Sequence, residues 1–155
     1  MGPASPRPDR PEQALPSTSP RILVVDDNRD SADSLSKSLR LSGYDARAVY
    51  DGFAALREVE SFRPDVVVLD IAMPGLDGFE VARRLRALPA LQGVLLIAVT
   101  GYGQIQDHVE SVLAGIDHHI VKPVNTEVLL KLIKAHVAPE LGAAMAASEP
   151  QREQV

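Results

Sequence analysis

Short apolar runs and longer amphipathic segments alternate five times along this chain between residues 21 and 137. The apolar runs are rich in β-branched residues, which is typical of buried parallel strands. Strands are predicted over 22–25, 46–49, 66–69, 94–99 and 120–121. Because a helical pattern follows each run, the order predicts five βα units with right-handed crossovers. The expected fold is therefore α/β, a doubly wound sheet of five parallel strands.

The helical segments carry their own start and stop signals. Residues expected to cap helices are Asp51, Asp77 with Glu80 in a capping box, and Asn125 or Thr126. Gly43 ends a first helix over 31–41, and a fourth helix is expected over 104–114. The predicted inward positions include Ala32, Leu35 and Leu39 in the first helix, Ala55, Leu56 and Val59 in the second, Phe79, Val81, Ala82 and Leu85 in the third, Ile105, Val109, Val112 and Leu113 in the fourth, and Val128, Leu129, Leu132 and Ile133 in the fifth.

The ends of the chain differ from this pattern. Residues 1–20 hold six of the twelve prolines and almost no apolar side chains, which indicates a disordered or polyproline-like arm. Residues 138–155 are rich in alanine and then polar, and they are too few for a second domain. One globular domain is expected over 21–137.

Composition narrows the range of functions. The chain has no cysteine, which excludes disulfides, thiolate metal sites and a cysteine nucleophile. Its formal net charge of −5 disfavours binding to nucleic acid. No apolar run approaches the roughly 18 residues that a membrane span requires. We therefore expect a cytoplasmic protein with protein partners that contacts neither nucleic acid nor membrane.

Polar side chains follow four of the predicted strands. In chain order they are Asp26 and Asp27, then Asp70, then Thr100, then Lys122. The carboxyl ends of parallel strands open onto one crevice, so these groups are expected to meet there. Neighbouring carboxylates repel one another unless a cation neutralises them, and all-oxygen ligation suits Mg²⁺. Taken alone, the acidic pair could equally well be a helix cap, and the lysine would usually be a solvated loop residue. Together, these residues predict a site for a divalent cation and a phosphoryl group.

The segments around these residues resemble the response-regulator receiver domain of two-component signalling. They are VVDDN, VVLDIAMPGLDG, AVTGYG and HHIVKPV, and the resemblance covers 21–137. It implies a flavodoxin-like (βα)₅ receiver fold similar to that of chemotaxis regulators. It also implies that Asp70 accepts a phosphoryl group from a histidine kinase or a histidine phosphotransfer protein, in a Mg²⁺-dependent reaction. Such a domain is a phosphoacceptor in signalling rather than an enzyme that turns over a substrate.

The resemblance also implies roles for individual residues. The implied Mg²⁺ ligands are Asp27, Asp70 and the backbone carbonyl of Ala72, with Asp26 acting largely through water. Thr100 and Lys122 would bind the phosphoryl oxygens, and the Lys122–Pro123 peptide bond is expected to be cis.

The resemblance further implies a switch. Thr100 would move toward the phosphoryl group, and the residue three before the lysine would repack and reshape a face for a downstream protein. That residue is usually Tyr or Phe, and here it is His119. His119 is either a smaller ring with the same packing role or a group whose protonation near neutral pH biases the face. His118 and His119 are consecutive in a strand, so their side chains are expected on opposite faces.

Three alternatives remain. A haloacid-dehalogenase-type phosphatase needs an aspartate two residues after its nucleophile, but Asn28 and Arg29 occupy those positions. A pseudo-receiver would keep the fold as a binding module without the chemistry. The domain is also compatible with a fragment of a hybrid histidine kinase. Because Met1 opens the chain and no kinase or DNA-binding segment follows Val137, a stand-alone regulator is the expectation.

Overall fold

The structure, a computed structural model, describes residues 19–101 and 108–138. Its strands are β1 (Arg21–Val25), β2 (Asp45–Val49), β3 (Val66–Asp70), β4 (Leu95–Thr100) and β5 (His118–Val121). Its helices are α1 (Arg29–Leu41), α2 (Gly52–Phe62), α3 (Gly78–Arg86), α4 (His108–Ala114) and α5 (Thr126–Val137), with a 3₁₀ turn at Pro89–Leu91. Within these ranges, no helix has the length and apolar character needed to cross a membrane.

The five strands form one parallel sheet in the order β2–β1–β3–β4–β5. This arrangement confirms the predicted (βα)₅ fold. The chain passes from β1 to one side for β2 and then returns to the other side for β3. The crevice beyond the carboxyl ends of β1 and β3 is therefore the topological switch point, where open α/β sheets bind their ligands.

Side-chain alternation along the strands divides the core into two layers. Ile22 and Val24 of β1 face the layer that includes buried side chains of α1 and α5, among them Leu39 and Ile133. Leu23 faces the opposite layer, which includes buried side chains of α2, α3 and α4. Because both faces of the sheet are covered, its strands read in the sequence as continuous apolar runs.

The helices begin where side-chain oxygens accept backbone N–H groups. The observed N-caps are Asn28, Asp51, Asp77 and Asn125, which confirms three predicted starts. The capping box is only half formed: the Asp77 side chain accepts the Glu80 N–H, but the Glu80 carboxylate bonds Arg83 and Arg84. The i,i+3 and i,i+4 arginines draw the Glu80 carboxylate along α3 and away from the cap.

The predicted inward faces of the last two helices are partly wrong. Val112 and Leu113 of α4 are each 74% exposed, whereas Ser111 and Ala114 are buried. The buried side of α4 is therefore formed by these small residues, and the helix is rotated relative to its apolar pattern. Val128 of α5 is likewise exposed, although Leu129 and Ile133 are buried as predicted. The side chains of Ile105 and Val109 lie outside the described residues.

Gly78 brings the start of α3 against the end of β3. A Cβ at Gly78 would lie 2.6 Å from the Ile71 Cα and 2.7 Å from the Asp70 carbonyl oxygen, so backbone would have to move. We expect Gly78→Ala to lower the free energy of unfolding by about 2–3 kcal/mol in denaturant titrations, despite alanine's better helix propensity. Gly93→Ala, at a position with no atom within 4 Å, is the control and is expected to change it by less than about 1 kcal/mol. Equal effects would show that the close approach does not constrain this loop.

Candidate metal and phosphoryl site

The fold places the predicted site residues at the carboxyl edge of the sheet. Asp26 and Asp27 directly follow β1, and Asp70 is the last residue of β3. Thr100 ends β4, and Lys122 directly follows β5. Because β1, β3, β4 and β5 are parallel, these four strand ends lie side by side, as predicted from the sequence.

Three carboxylates form the centre of the site. Asp26, Asp27 and Asp70 each offer an oxygen, and these oxygens lie within 4.8 Å of one another. Asp26 and Asp70 are 8% and 4% exposed, whereas Asp27 is exposed. The Asp26 Oδ1 accepts the Asn28 N–H at 2.9 Å, and the Asp70 Oδ1 accepts the Ala72 N–H at 3.1 Å. Backbone donors thus fix one oxygen of each buried carboxylate.

Lys122 faces the other oxygens of the two buried carboxylates. Its Nζ lies 3.4 Å from the Asp70 Oδ2 and 3.8 Å from the Asp26 Oδ2. Its backbone N–H donates to the Thr100 carbonyl at 2.8 Å, which ties the lysine to the end of β4. The peptide bond from Lys122 to Pro123 is cis, as expected. One ammonium therefore serves two buried carboxylates.

The charge balance of the site fits a divalent cation. Burial raises the pKa of the Asp26 carboxyl above its usual 3.8, and the negative charge of Asp70 raises this pKa further. The Asn28 N–H and the Lys122 ammonium lower it, but the net direction is upward. Negative charge is therefore still under-compensated beside Asp26, and the donors present are the hard oxygens that Mg²⁺ prefers.

The raised pKa of Asp26 predicts how metal-free stability depends on pH. A folded-state pKa above the unfolded value favours folding below pH 3.8, and this contribution is lost as the pH rises through the folded-state pKa. At neutral pH the Asp26 charge therefore costs stability, and Asp26→Asn is expected to raise the free energy of unfolding by about 1 kcal/mol without metal. Denaturant titrations should show this gain at pH 7 and its disappearance below pH 3.8. Lower stability of Asp26→Asn at pH 7 would contradict the assignment.

Thr100 brings an unpaired hydroxyl to the end of β4. The residue is 1% exposed, and its Oγ1 is the buried side-chain polar atom without a hydrogen-bond partner among the described residues. A buried hydroxyl without a partner costs about 1–3 kcal/mol, so such a group usually has a role. A ligand with acceptor oxygens at this edge of the sheet would supply the missing partner.

The two histidines of β5 face opposite sides of the sheet, as predicted. His118 is exposed and His119 is half-buried. The His119 Nε2 lies 2.5 Å from the Oγ of Ser111, which is a buried residue of α4. Ser111 was not among the predicted functional residues, because its only signal in the sequence is a single hydroxyl within a short helical segment. The protonation hypothesis for His119 stays a prediction.

A groove of about 510 Å³ opens the site between α1 and α5. Asp26, Asp70 and Lys122 line one end of it. The remaining lining residues are contributed by the strands, α1 and the start of α5, and they include Val24, Val68, Ser31, Ser34, Leu35, Ser38 and Thr126. The carboxylates can therefore be approached by a group larger than a solvated ion.

Comparison with known proteins gives a consistent result. A family model described as the response regulator receiver domain matches residues 22–134. The chain is 40% identical to the transcriptional regulatory protein PrrA of Mycobacterium tuberculosis over 132 residues, which are 85% of this chain and 56% of PrrA. Its structure is similar to a CheY-like receiver domain protein of Methanospirillum hungatei, with a TM-score of 0.70, 33% identity, and coverage of 76% of this chain and 92% of the other. It is also similar to the chemotaxis response regulator CheY4 of Vibrio cholerae, with a TM-score of 0.71 and 28% identity. The match covers 77% of this chain and 99% of CheY4.

The chain spans about half the length of the curated relatives that it matches. The name of PrrA describes it as a transcriptional regulatory protein. The expectations that this chain contacts no nucleic acid and acts as a stand-alone regulator therefore stay predictions.

Proposed function

This chain belongs to the response regulator receiver domain family, and from that membership we propose that Asp70 accepts a phosphoryl group from a phosphohistidine. The donor is a histidine kinase or a histidine phosphotransfer protein. The observation that supports this most is the buried Asp70 carboxylate, which has an ammonium 3.4 Å away and two further carboxylates nearby.

The proposed reaction is a nucleophilic displacement at phosphorus. A carboxylate oxygen of Asp70 forms a bond to phosphorus as the bond from phosphorus to the donor imidazole nitrogen breaks. The nitrogen keeps the electron pair of that bond and is protonated, and Asp70 becomes an acyl phosphate. Positioning and charge neutralisation provide most of the catalysis in such transfers.

The residues present suit a bound Mg²⁺. Asp27, Asp70 and the backbone carbonyl of Ala72 would hold the ion, and Asp26 would act largely through water. Mg²⁺ bound there supplies positive charge that offsets the three carboxylates and the incoming phosphoryl oxygens. The raised pKa of Asp26 supports this proposal because burial, and then the charge of Asp70, disfavour its ionised form, and a bound cation would offset both.

Thr100 and Lys122 would bind the phosphoryl oxygens after transfer. The unpaired Thr100 hydroxyl can donate to one oxygen, and the Lys122 ammonium can leave the Asp70 carboxylate and pair with another. Thr100 ends β4 and Lys122 follows β5, and a backbone hydrogen bond joins the two residues.

The proposed output is a contact with another protein through the surface of α4, β5 and α5. Val112 and Leu113 of α4 are each 74% exposed there, and Val128 of α5 is 46% exposed. Apolar side chains on a surface favour protein contacts. Onward transfer of the phosphoryl group to a phosphotransfer protein is the second output that we propose.

Phosphotransfer measured by intact mass tests the proposal. The purified chain is incubated with a panel of phosphorylated histidine kinases and phosphotransfer proteins, and separately with acetyl phosphate, with Mg²⁺ or with excess chelator. We expect a mass gain of one PO₃ unit that requires Mg²⁺, because three close carboxylates otherwise repel the donor. No gain from any donor would favour a binding module that keeps the fold, and an equal gain with chelator would refute the metal site.

A further inference from the structure

A polar contact links α4 to β5 outside the phosphoryl site. Ser111 of α4 and His119 of β5 share a hydrogen bond of 2.5 Å between Oγ and Nε2. Ser111 is 2% exposed, so its hydroxyl is shielded from solvent and loses a partner when this part-buried bond breaks. The contact is not needed for a helix cap, and none of the site carboxylates takes part in it.

The strand register places His119 on the same side of the sheet as Thr100. His119 pairs with Ala98 and Val121 pairs with Thr100, so both 119 and 100 lie on the face that α4 covers. Ile97, Val99 and Ile120 point to the opposite face, toward α1 and α5. The imidazole therefore lies on the same face as the Thr100 side chain, in a diagonal position on the adjacent strand.

The Thr100 side chain has a reason to move once Asp70 carries a phosphoryl group. Its hydroxyl is buried and has no partner among the residues that the structure describes, and phosphoryl oxygens beyond the end of β3 are strong acceptors. Turning toward them empties space on the α4 side of the sheet, and an empty space in a packed core is costly. Val121 lies directly opposite Thr100 on this face, and the His119 ring is the diagonal neighbour, whose larger side chain can fill the space only if it leaves Ser111.

We propose that Ser111 is a positioning residue that holds the His119 imidazole in its resting place, and that phosphorylation of Asp70 breaks the bond between Ser111 and His119. This inference rests on the proposed function. The bond stabilises the resting arrangement alone, so it opposes the response to phosphorylation. When this bond is lost, α4 loses a contact with β5, and phosphorylation at Asp70 thereby alters the exposed surface of that helix.

Ser111→Ala tests the proposal with beryllium trifluoride, a mimic of the phosphoryl group, in the presence of Mg²⁺. Removing a bond that only the resting arrangement makes should tighten binding of the mimic about five-fold. The ¹⁵N resonance of the His119 Nε2 provides a readout that needs no substitution. In the parent protein, adding the mimic should shift the Nε2 resonance toward the chemical shift that Ser111→Ala shows without the mimic.

Ser36→Ala is the matched control. Ser36 is also 2% exposed, but its hydroxyl donates to the Asp33 carbonyl within α1, far along the chain from α4. We expect neither tighter binding of the mimic nor a shift of the Nε2 resonance. In a His119→Phe background, adding Ser111→Ala should leave the affinity for the mimic unchanged, because the bond is already absent.

Two results would overturn the inference while leaving the proposed function intact. One is a parent protein that binds the mimic without any movement of the Nε2 resonance. The other is Ser111→Ala with the affinity of the parent. A parent protein that binds no mimic and takes no phosphoryl group from any donor would instead overturn the proposed function, and the inference with it.

Discussion

Asp70→Asn is expected to eliminate phosphoryl transfer to this chain. The amide keeps the shape of the carboxylate, so the backbone contact with Ala72 can persist, but it removes the anionic oxygen that attacks phosphorus. Loss of a nucleophile lowers a transfer rate by on the order of 10³-fold or more. Intact-mass spectra with Mg²⁺ and either donor type should show no added PO₃ unit. The stability of the metal-free variant should match or exceed that of the parent, since one of three clustered charges is removed.

Asp77→Asn is the matched control for this substitution. Asp77 lies seven positions further along the chain, is exposed, and caps α3 through its side chain. Asparagine caps helices as well as aspartate does, so this variant should be phosphorylated at the rate of the parent. Undiminished phosphorylation of Asp70→Asn would place the acceptor elsewhere in the chain.

The sequence predicts the site best where a polar residue directly follows a predicted strand. Asp26, Asp70, Thr100 and Lys122 each follow a β-branched apolar run, and parallel strand topology brings such positions to one edge. Their convergence could therefore be predicted without any contact information. Helix starts at Asp51, Asp77 and Asn125 were predictable for a similar reason, because a cap satisfies backbone groups of its own first turn.

Features that depend on tertiary packing were not predictable. Val112 and Leu113 fit an inward helical pattern, yet the side chains that α4 buries are those of Ser111 and Ala114. The bond between Ser111 and His119 joins two elements whose relative rotation a periodicity cannot supply. The local pattern likewise suggests a capping box at Glu80, but two neighbouring arginines compete for that carboxylate.

The electrostatic properties of the site also depend on burial, which was not predictable from the sequence. A sequence shows that three aspartates and a lysine meet at one edge, but it does not show which carboxylates are buried. The structure buries most of Asp26 and Asp70 at the end of the groove and leaves Asp27 exposed. This difference explains why burial acts on the pKa of Asp26, and it makes Lys122 the charge that both buried carboxylates share.

Lys122→Met is expected to slow phosphoryl transfer strongly without eliminating it. Methionine keeps most of the length of the side chain but removes the ammonium 3.4 Å from Asp70 and 3.8 Å from Asp26. A positioned charge of this kind contributes about 10²-fold to a transfer rate, whereas the nucleophile itself is retained. The rate of PO₃ incorporation from acetyl phosphate, followed by intact mass, should fall accordingly. Metal-free stability should also fall at neutral pH, because the two buried carboxylates lose their shared counter-charge.

Lys131→Met separates this effect from a general loss of positive charge. Lys131 is exposed on α5 and takes no part in the groove beside the carboxylates, so its loss changes net charge equally but leaves the site intact. It should keep the transfer rate and the stability of the parent. Equal slowing in both lysine variants would mean that long-range attraction of the anionic donor governs the rate. A Lys122→Met variant as fast as the parent would remove the ammonium from the proposed mechanism, and the developing charge would then have to be neutralised by the bound cation and Thr100 alone.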